Sequence, residues 1–139
     1  MMDIIVGVDQ SSTARRAAEK AVELAAAYGD NLHIVYCIGR KSSQVVGSGG
    51  DEWFVSPTAE AETFLNTLAL ELGYDKITTK VSRSEPAEAM CEEAEELGAR
   101  AIVVGNRRVQ GMARVLGSIA GDVLKHAPCD VLIANTIGA

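Results

Sequence analysis

Ile4-Ile5-Val6-Gly7-Val8-Asp9-Gln10-Ser11-Ser12-Thr13 decides the architecture. Its first half is a short β-branched run without alternation, the pattern of a strand buried on both faces. Its second half supplies turn residues and helix caps. From Ala14 the apolar residues fall at 14, 18, 21, 22, 25 and 28. That spacing predicts a helix, and Gly29 supplies its stop. Leu32 to Ile38 then reads as a second strand, giving strand, helix, strand.

The same alternation continues along the chain. Thr58 to Leu72 predicts a helix with Ala61, Phe64, Leu65, Leu68 and Leu72 on one face and Gly73 at its end. Lys76 to Val81 predicts a third strand, and its charged and Thr positions suit a half-exposed edge. Pro86 fits a first helical position. Ala87, Met90, Cys91, Ala94 and Leu97 form the next stripe, closed by Gly98. Ala101 to Gly105 is a fourth, buried strand. Ser118 to His126 predicts a helix with Ile119, Val123 and Leu124 inward, and Pro128 stops it. Asp130 to Ala134 is the fifth strand. Strands alternating with helices imply a parallel sheet with helices on both faces and right-handed crossovers. Residues 40–57, rich in Ser and Gly, read as a mobile surface loop. Within it, Trp53 and Phe54 are either a contact patch, a lid or a staple onto the helix near Thr58.

Bulk properties narrow the function. The chain has 139 residues, the size of one domain spanning 1–139. A formal charge of −6 opposes non-specific nucleic-acid binding, which needs a basic surface. It leaves room for a nucleotide held by a local basic cluster. Cys37, Cys91 and Cys129 lie in apolar runs without metal spacing, as expected of reduced thiols in the cytoplasm. No signal peptide or membrane span is expected. Glu88, Glu92, Glu93, Glu95 and Glu96 leave their helix's stripe clean and read as a solvated face. His33 and His126 read as structural.

The segment Gly105 to Ser118 carries the chemistry. It holds three glycines, Gly105, Gly111 and Gly117, more than a plain turn requires. Gly117-Ser118 opens a helix, whose free amides and dipole favour an anion. Arg107, Arg108 and Arg114 are three of thirteen basic residues, concentrated where a phosphate would sit. A glycine-rich connection with a capping serine and solvated arginines is the plain structural alternative. Asp9, just past the first strand, is either a turn residue bonded to the Ser11 and Ser12 amides or a ribose or metal contact.

At this point the sequence resembles the universal stress protein family over nearly its whole length. The anchors are Ile5-Val6-Gly7-Val8-Asp9 with Ser11, the helix start Pro86-Ala87-Glu88-Ala89, and Val103-Val104-Gly105-Asn106. The last runs from Gly117-Ser118 through His126-Ala127-Pro128-Cys129-Asp130-Val131-Leu132-Ile133. The resemblance implies an open α/β sheet of five parallel strands in the order 3-2-1-4-5. That sheet is Rossmann-like, of the adenine nucleotide alpha hydrolase-like type. It implies a homodimer through the last strand, here Val131, Leu132, Ile133 and Ala134.

One branch of the family binds ATP through glycine, two residues, glycine, nine residues, then glycine and serine. Carried over, Gly105, Gly117 and Ser118 hold the phosphates with the Ile119 amide. Val8 and Asp9 meet adenine and ribose, while Cys37 and Val104 line the adenine pocket. Magnesium would sit on Asp9 or Ser118. Two departures stand out: the middle glycine is Arg108, and eight residues rather than nine separate it from Gly117. Gly111 could supply the lost flexibility, and Arg108, with Arg107 beside it, either fills and blocks the phosphate pocket or reaches outward and neutralises the phosphates.

Three functions compete on these residues. The first is a stress-response module regulated by an adenine nucleotide such as ATP, ADP, AMP or cyclic AMP, capable at most of slow hydrolysis. The second is a dimeric interaction protein of the same family that binds no nucleotide. The third, an adenylyl-transferring enzyme, is disfavoured because Asp9–Thr13 carries no early phosphate signature.

Overall fold

A computed structural model describes residues 1–38, 44–46, 53–55, 57–106 and 117–136. β1 (Asp3–Val8), α1 (Ser12–Tyr28) and β2 (Asn31–Cys37) form the first unit. β3 (Gln44–Val46) and β4 (Trp53–Val55) pair antiparallel as a separate hairpin. α2 (Pro57–Leu72), β5 (Ile77–Ser82), α3 (Pro86–Leu97), β6 (Ala101–Gly105), α4 (Ser118–His126) and β7 (Asp130–Ala134) complete the described elements. The main sheet runs β5-β2-β1-β6-β7, every pairing parallel. Its five strands, numbered by themselves, give the predicted order 3-2-1-4-5.

β1 occupies the centre because it can be buried on both faces. Ile4, Val6 and Val8 join one core with α1 and α2, while Ile5 joins the other with Val35, Met90 and Ile102. Burying an aliphatic side chain contributes about 1.5–3 kcal/mol, so both faces of this strand drive docking. β5 lies at an edge, as its polar alternation predicts, with Thr78, Thr79 and Lys80 exposed. Few aromatics take part: Tyr36 and Phe64 meet edge-to-face at 5.6 Å beneath α2.

Caps end the helices where the sequence places them. The Ser11 hydroxyl accepts the Ala14 N–H at 3.1 Å, so α1 starts two residues before Ala14. Gly29 closes it at φ +73°, a left-handed conformation that penalises a Cβ.

Several expected faces are rotated. Of the three residues expected inward on α4, Val123 is buried, but Ile119 and Leu124 are 45% and 48% exposed and Ala120 is buried in their place. A helix of nine residues docks on a narrow stripe, and Ala120, Val123 and the following Ala127 are the residues that meet the second core. On α3, Leu97 points to solvent and Ala89 takes an inward place. Tyr28 ends the predicted α1 stripe but is exposed, with the Arg100 guanidinium 3.8 Å above its ring. In the segment 40–57, expected as a mobile surface loop, the hairpin strands and Pro57 at the start of α2 are described, with Trp53 on β4, and positions 40–43, 47–52 and 56 lie outside the described residues.

The amino ends of the strands hold the polar ties. Asp30 is fully buried and receives Arg100 Nε at 2.5 Å and the Met2 N–H at 2.9 Å. The Arg100 hydrogen bond holds its carboxyl below the usual carboxylate range, against the opposing effect of burial. Nearby, His33 links Asp3 (2.7 Å) and Thr78 (2.5 Å) across three strands. His126 Nδ1 lies 3.0 Å from the Asp122 carbonyl within α4. Both histidines therefore sit in local structural networks, away from the carboxyl rim.

Candidate functional site

At the carboxyl ends of β1 and β6 the sheet opens into a cavity of about 240 Å³. A parallel sheet places such a crevice where neighbouring crossovers leave in opposite directions. Here β2 lies on one side of β1 and β6 on the other. α1 follows β1, and α4 follows the connection that leaves β6.

Each wall comes from a different segment. β1 brings Val8 and Asp9, the end of β2 brings Cys37, and β6 brings Val104 and Gly105. The start of α4 brings Gly117, Ser118 and Ile119. These eight positions, which the family resemblance implies, all line the one cavity. Arg107, Arg108, Gly111 and Arg114 lie outside the described residues. Val131, Leu132, Ile133 and Ala134 form β7, which borders β6 and is the other edge of the main sheet. Ile133 is 36% exposed, whereas Ala134 is buried beside Gly105.

The polar groups divide by wall. Asp9 accepts the Ser11 N–H at Oδ1 (2.8 Å), the turn bond anticipated for Ser11. Its carboxylate is otherwise exposed at the rim. The first amides of α4 have no intrahelical acceptors, by the geometry of any helix start. Gly117, at φ −65° and ψ 160°, turns the chain so that Ser118 and Ile119 stand exposed at the cavity mouth. Burial pushes the Cys37 thiol up to about 11, with a smaller contribution from the Glu85 charge. At neutral pH Cys37 is therefore a protonated, largely apolar surface. The cavity thus has an apolar wall of Val8, Cys37 and Val104 and a mouth of helix amides, hydroxyls and one carboxylate.

Sequence reasoning missed part of the lining. Ala14 and Ala17 of α1, Pro86 and Met90 of α3, and Asn106 and Thr136 also face the cavity. The α3 periodicity places Met90 in the core alone, and the Val103-Val104-Gly105-Asn106 motif gives Asn106 no role of its own. Thr136 carries no local signal; its place follows only from how β7 ends.

A larger groove of about 550 Å³ lies between α3 and β5, with Glu92, Glu93 and Glu96 along it. Its single lysine, Lys80, is held by Glu93 at 2.6 Å, which raises the ammonium pKa. Glu93 is accordingly half-buried, not part of a fully solvated face. A negative groove whose cation is already paired disfavours phosphate, so the rim cavity is the better anion site. Among the described residues, no group of three or more His, Cys, Asp or Glu side chains is arranged to hold a metal. Asp9 and Ser118 offer the hard oxygens that a magnesium ion prefers, in a number that would leave it largely hydrated. Among the described residues, no helix is long and apolar enough to cross a membrane.

Known proteins share this fold. The family described as universal stress protein family matches residues 1–135. A putative universal stress protein of Staphylococcus haemolyticus is 29% identical over 139 residues, covering 96% of this chain and 84% of its own. A universal stress protein solved in complex with cAMP superposes with TM-score 0.71 and 29% identity, covering 97% of each chain. The Archaeoglobus fulgidus universal stress protein solved with dAMP superposes with TM-score 0.65 and 25% identity, covering 96% of this chain and 98% of its own.

Proposed function

We propose, for a chain that belongs to the universal stress protein family, that the rim cavity holds an adenine nucleotide, ATP or a relative of it. In this reading residues 1–139 act as one domain, a homodimeric regulatory module of the stress response in the cytoplasm. The observation that carries it is the convergence of Val8, Asp9, Cys37, Val104, Gly105, Gly117, Ser118 and Ile119 on one cavity at the switch point. The complexes of related proteins with cAMP and dAMP support the adenine class.

The roles follow from the chemistry of each wall. Val8, Cys37 and Val104 pack the base, since a protonated thiol and two valines offer apolar surface. Asp9 accepts from the ribose hydroxyls. Gly105, Gly117 and the Ser118 and Ile119 amides take the phosphates, helped by the α4 dipole. Arg107 and Arg108 neutralise the outer phosphates, and Gly111 gives their connection the freedom lost at the middle glycine. Asp9 or Ser118 would hold a magnesium ion, which would offset phosphate charge. The chain's own residues bind and orient the nucleotide. The partner docks on the free edge of β7 through Val131, Leu132, Ile133 and Ala134, continuing the sheet.

Calorimetric titration with ATP, ADP, AMP and cyclic AMP, each with and without Mg²⁺, tests the reading. Saturable binding of at least one nucleotide is expected. No detectable heat at millimolar nucleotide would sink it and leave the dimeric interaction protein, the reading favoured by Arg108 and the eight-residue spacing to Gly117.

A further inference from the structure

Among the described residues, the buried polar or charged side chains are Asp30 and Thr136. Arg100 accounts for Asp30 at the amino rim. Thr136 lies two positions beyond β7, is 1% exposed and faces the nucleotide cavity at the opposite rim. Its hydroxyl donates to the Asn106 carbonyl at 2.7 Å and lies 3.1 Å from Asn106 Oδ1. Its N–H donates to that same Oδ1 at 2.7 Å, and the Asn106 N–H donates to the Ala134 carbonyl at 3.0 Å. A Cβ on Gly105 would come within 3.0 Å of the Thr136 γ-methyl, so the glycine is what lets Thr136 seat against β6.

We infer that Thr136 and Asn106 form a clasp that positions the phosphate end of the cavity, and that Thr136 is a positioning residue for phosphate rather than for base or ribose. The inference rests on the nucleotide reading above. Pairing of β6 with β7 ends at Gly105 and Ala134. Beyond that point one backbone bond remains, from the Asn106 N–H to Ala134, and the Thr136 side chain adds its hold on Asn106 beside Gly105. The base wall has separate support. Val8 is held by pairing of β1 with β2, and Cys37 by pairing of β2 with β5. Loosening the clasp therefore moves one end of the cavity and leaves the other in register.

The test compares ATP with adenosine by calorimetry for the wild type, Thr136→Val and Thr136→Ser, with unfolding curves checking that each is native. Valine keeps the shape and removes the hydroxyl; serine keeps the hydroxyl. Thr136→Val is expected to weaken ATP about five- to tenfold, the scale of one hydrogen bond, and adenosine less than about twofold. Thr136→Ser is expected to stay within about twofold of the wild type for both. Equal loss for both ligands, or no loss for either, would overturn the positioning role while the wild type still binds. A wild type that binds neither ligand would overturn the reading of the cavity itself. If Thr136→Val does not fold, Asn106→Ala removes the acceptor of the Thr136 amide from the half-buried side and is held to the same split.

Discussion

Gly7→Ala is the sharpest probe of how the core and the cavity share atoms. A methyl built on Gly7 would lie 2.7 Å from Met90 Sδ and 3.0 Å from its Cε. Ordinary contact between such atoms is ~3.5–4.0 Å, so Met90 must retreat by about 1 Å. Met90 is 2% exposed and faces the cavity, so the open direction for it is into the ligand space. Overpacking a core costs about 1–3 kcal/mol, and the flexibility of methionine places this case near 1–2 kcal/mol. Met90→Ala alone should cost about 2–5 kcal/mol through lost burial and a void. In the double variant the new methyl occupies part of that void, so the two costs should fall short of additivity by about 1 kcal/mol. Urea unfolding of the four proteins, with slopes compared to confirm a common denatured state, gives the coupling. Calorimetry on Gly7→Ala should also show weaker nucleotide binding, restored in part by Met90→Ala. Additivity within about 0.5 kcal/mol would refute the claim that Met90 is what keeps position 7 a glycine.

Asp30→Asn removes a carboxylate whose folded pKa is depressed, so its stabilisation is present above the unfolded value and is lost as pH falls through the folded one. The variant should lose about 2–4 kcal/mol near pH 7 and show a flatter decline than the wild type below about pH 4, read from urea midpoints across pH. Cys37, with its thiol pushed up to about 11, should alkylate with iodoacetamide at pH 8 more slowly than free cysteine, followed by peptide mass spectrometry; a rate equal to free cysteine would contradict its burial. Arg108→Gly should change the affinity for ATP more than for AMP by calorimetry, and an equal effect on both would show that Arg108 does not address the outer phosphates.

Local pattern carried most of the architecture because each element buries a periodic stripe against the sheet. β6 and α4 fall at the bounds read from sequence, and β5 lies at the edge its polar alternation implied. Failures occur where tertiary context chooses between neighbouring faces. Ile119 and Leu124 are more apolar than Ala120, yet the smaller residue goes inward because α4 packs closely beside α3. Ile119 instead lines the rim cavity. Non-local polar pairs were illegible: Asp30 meets Arg100 across seventy positions, and Asn106 meets Thr136 across thirty. Neither pair leaves a trace in spacing, since each partner is an ordinary turn residue until the sheet brings the two together.

The central place of β1 has a consequence during synthesis. Its first neighbour, β2, begins at Asn31, but its second starts at Ala101, the register partner of Ile4. Ribosomes add about 5–20 residues per second, so roughly 5–20 s pass between making Ile4 and making the strand that seals its other side. For that interval Ile4, Ile5 and Val6 border an unpaired edge, open to any extended chain nearby. A nascent chain stalled before residue 101 is thus a sticky half-sheet, and chaperone dependence should be greatest in that window.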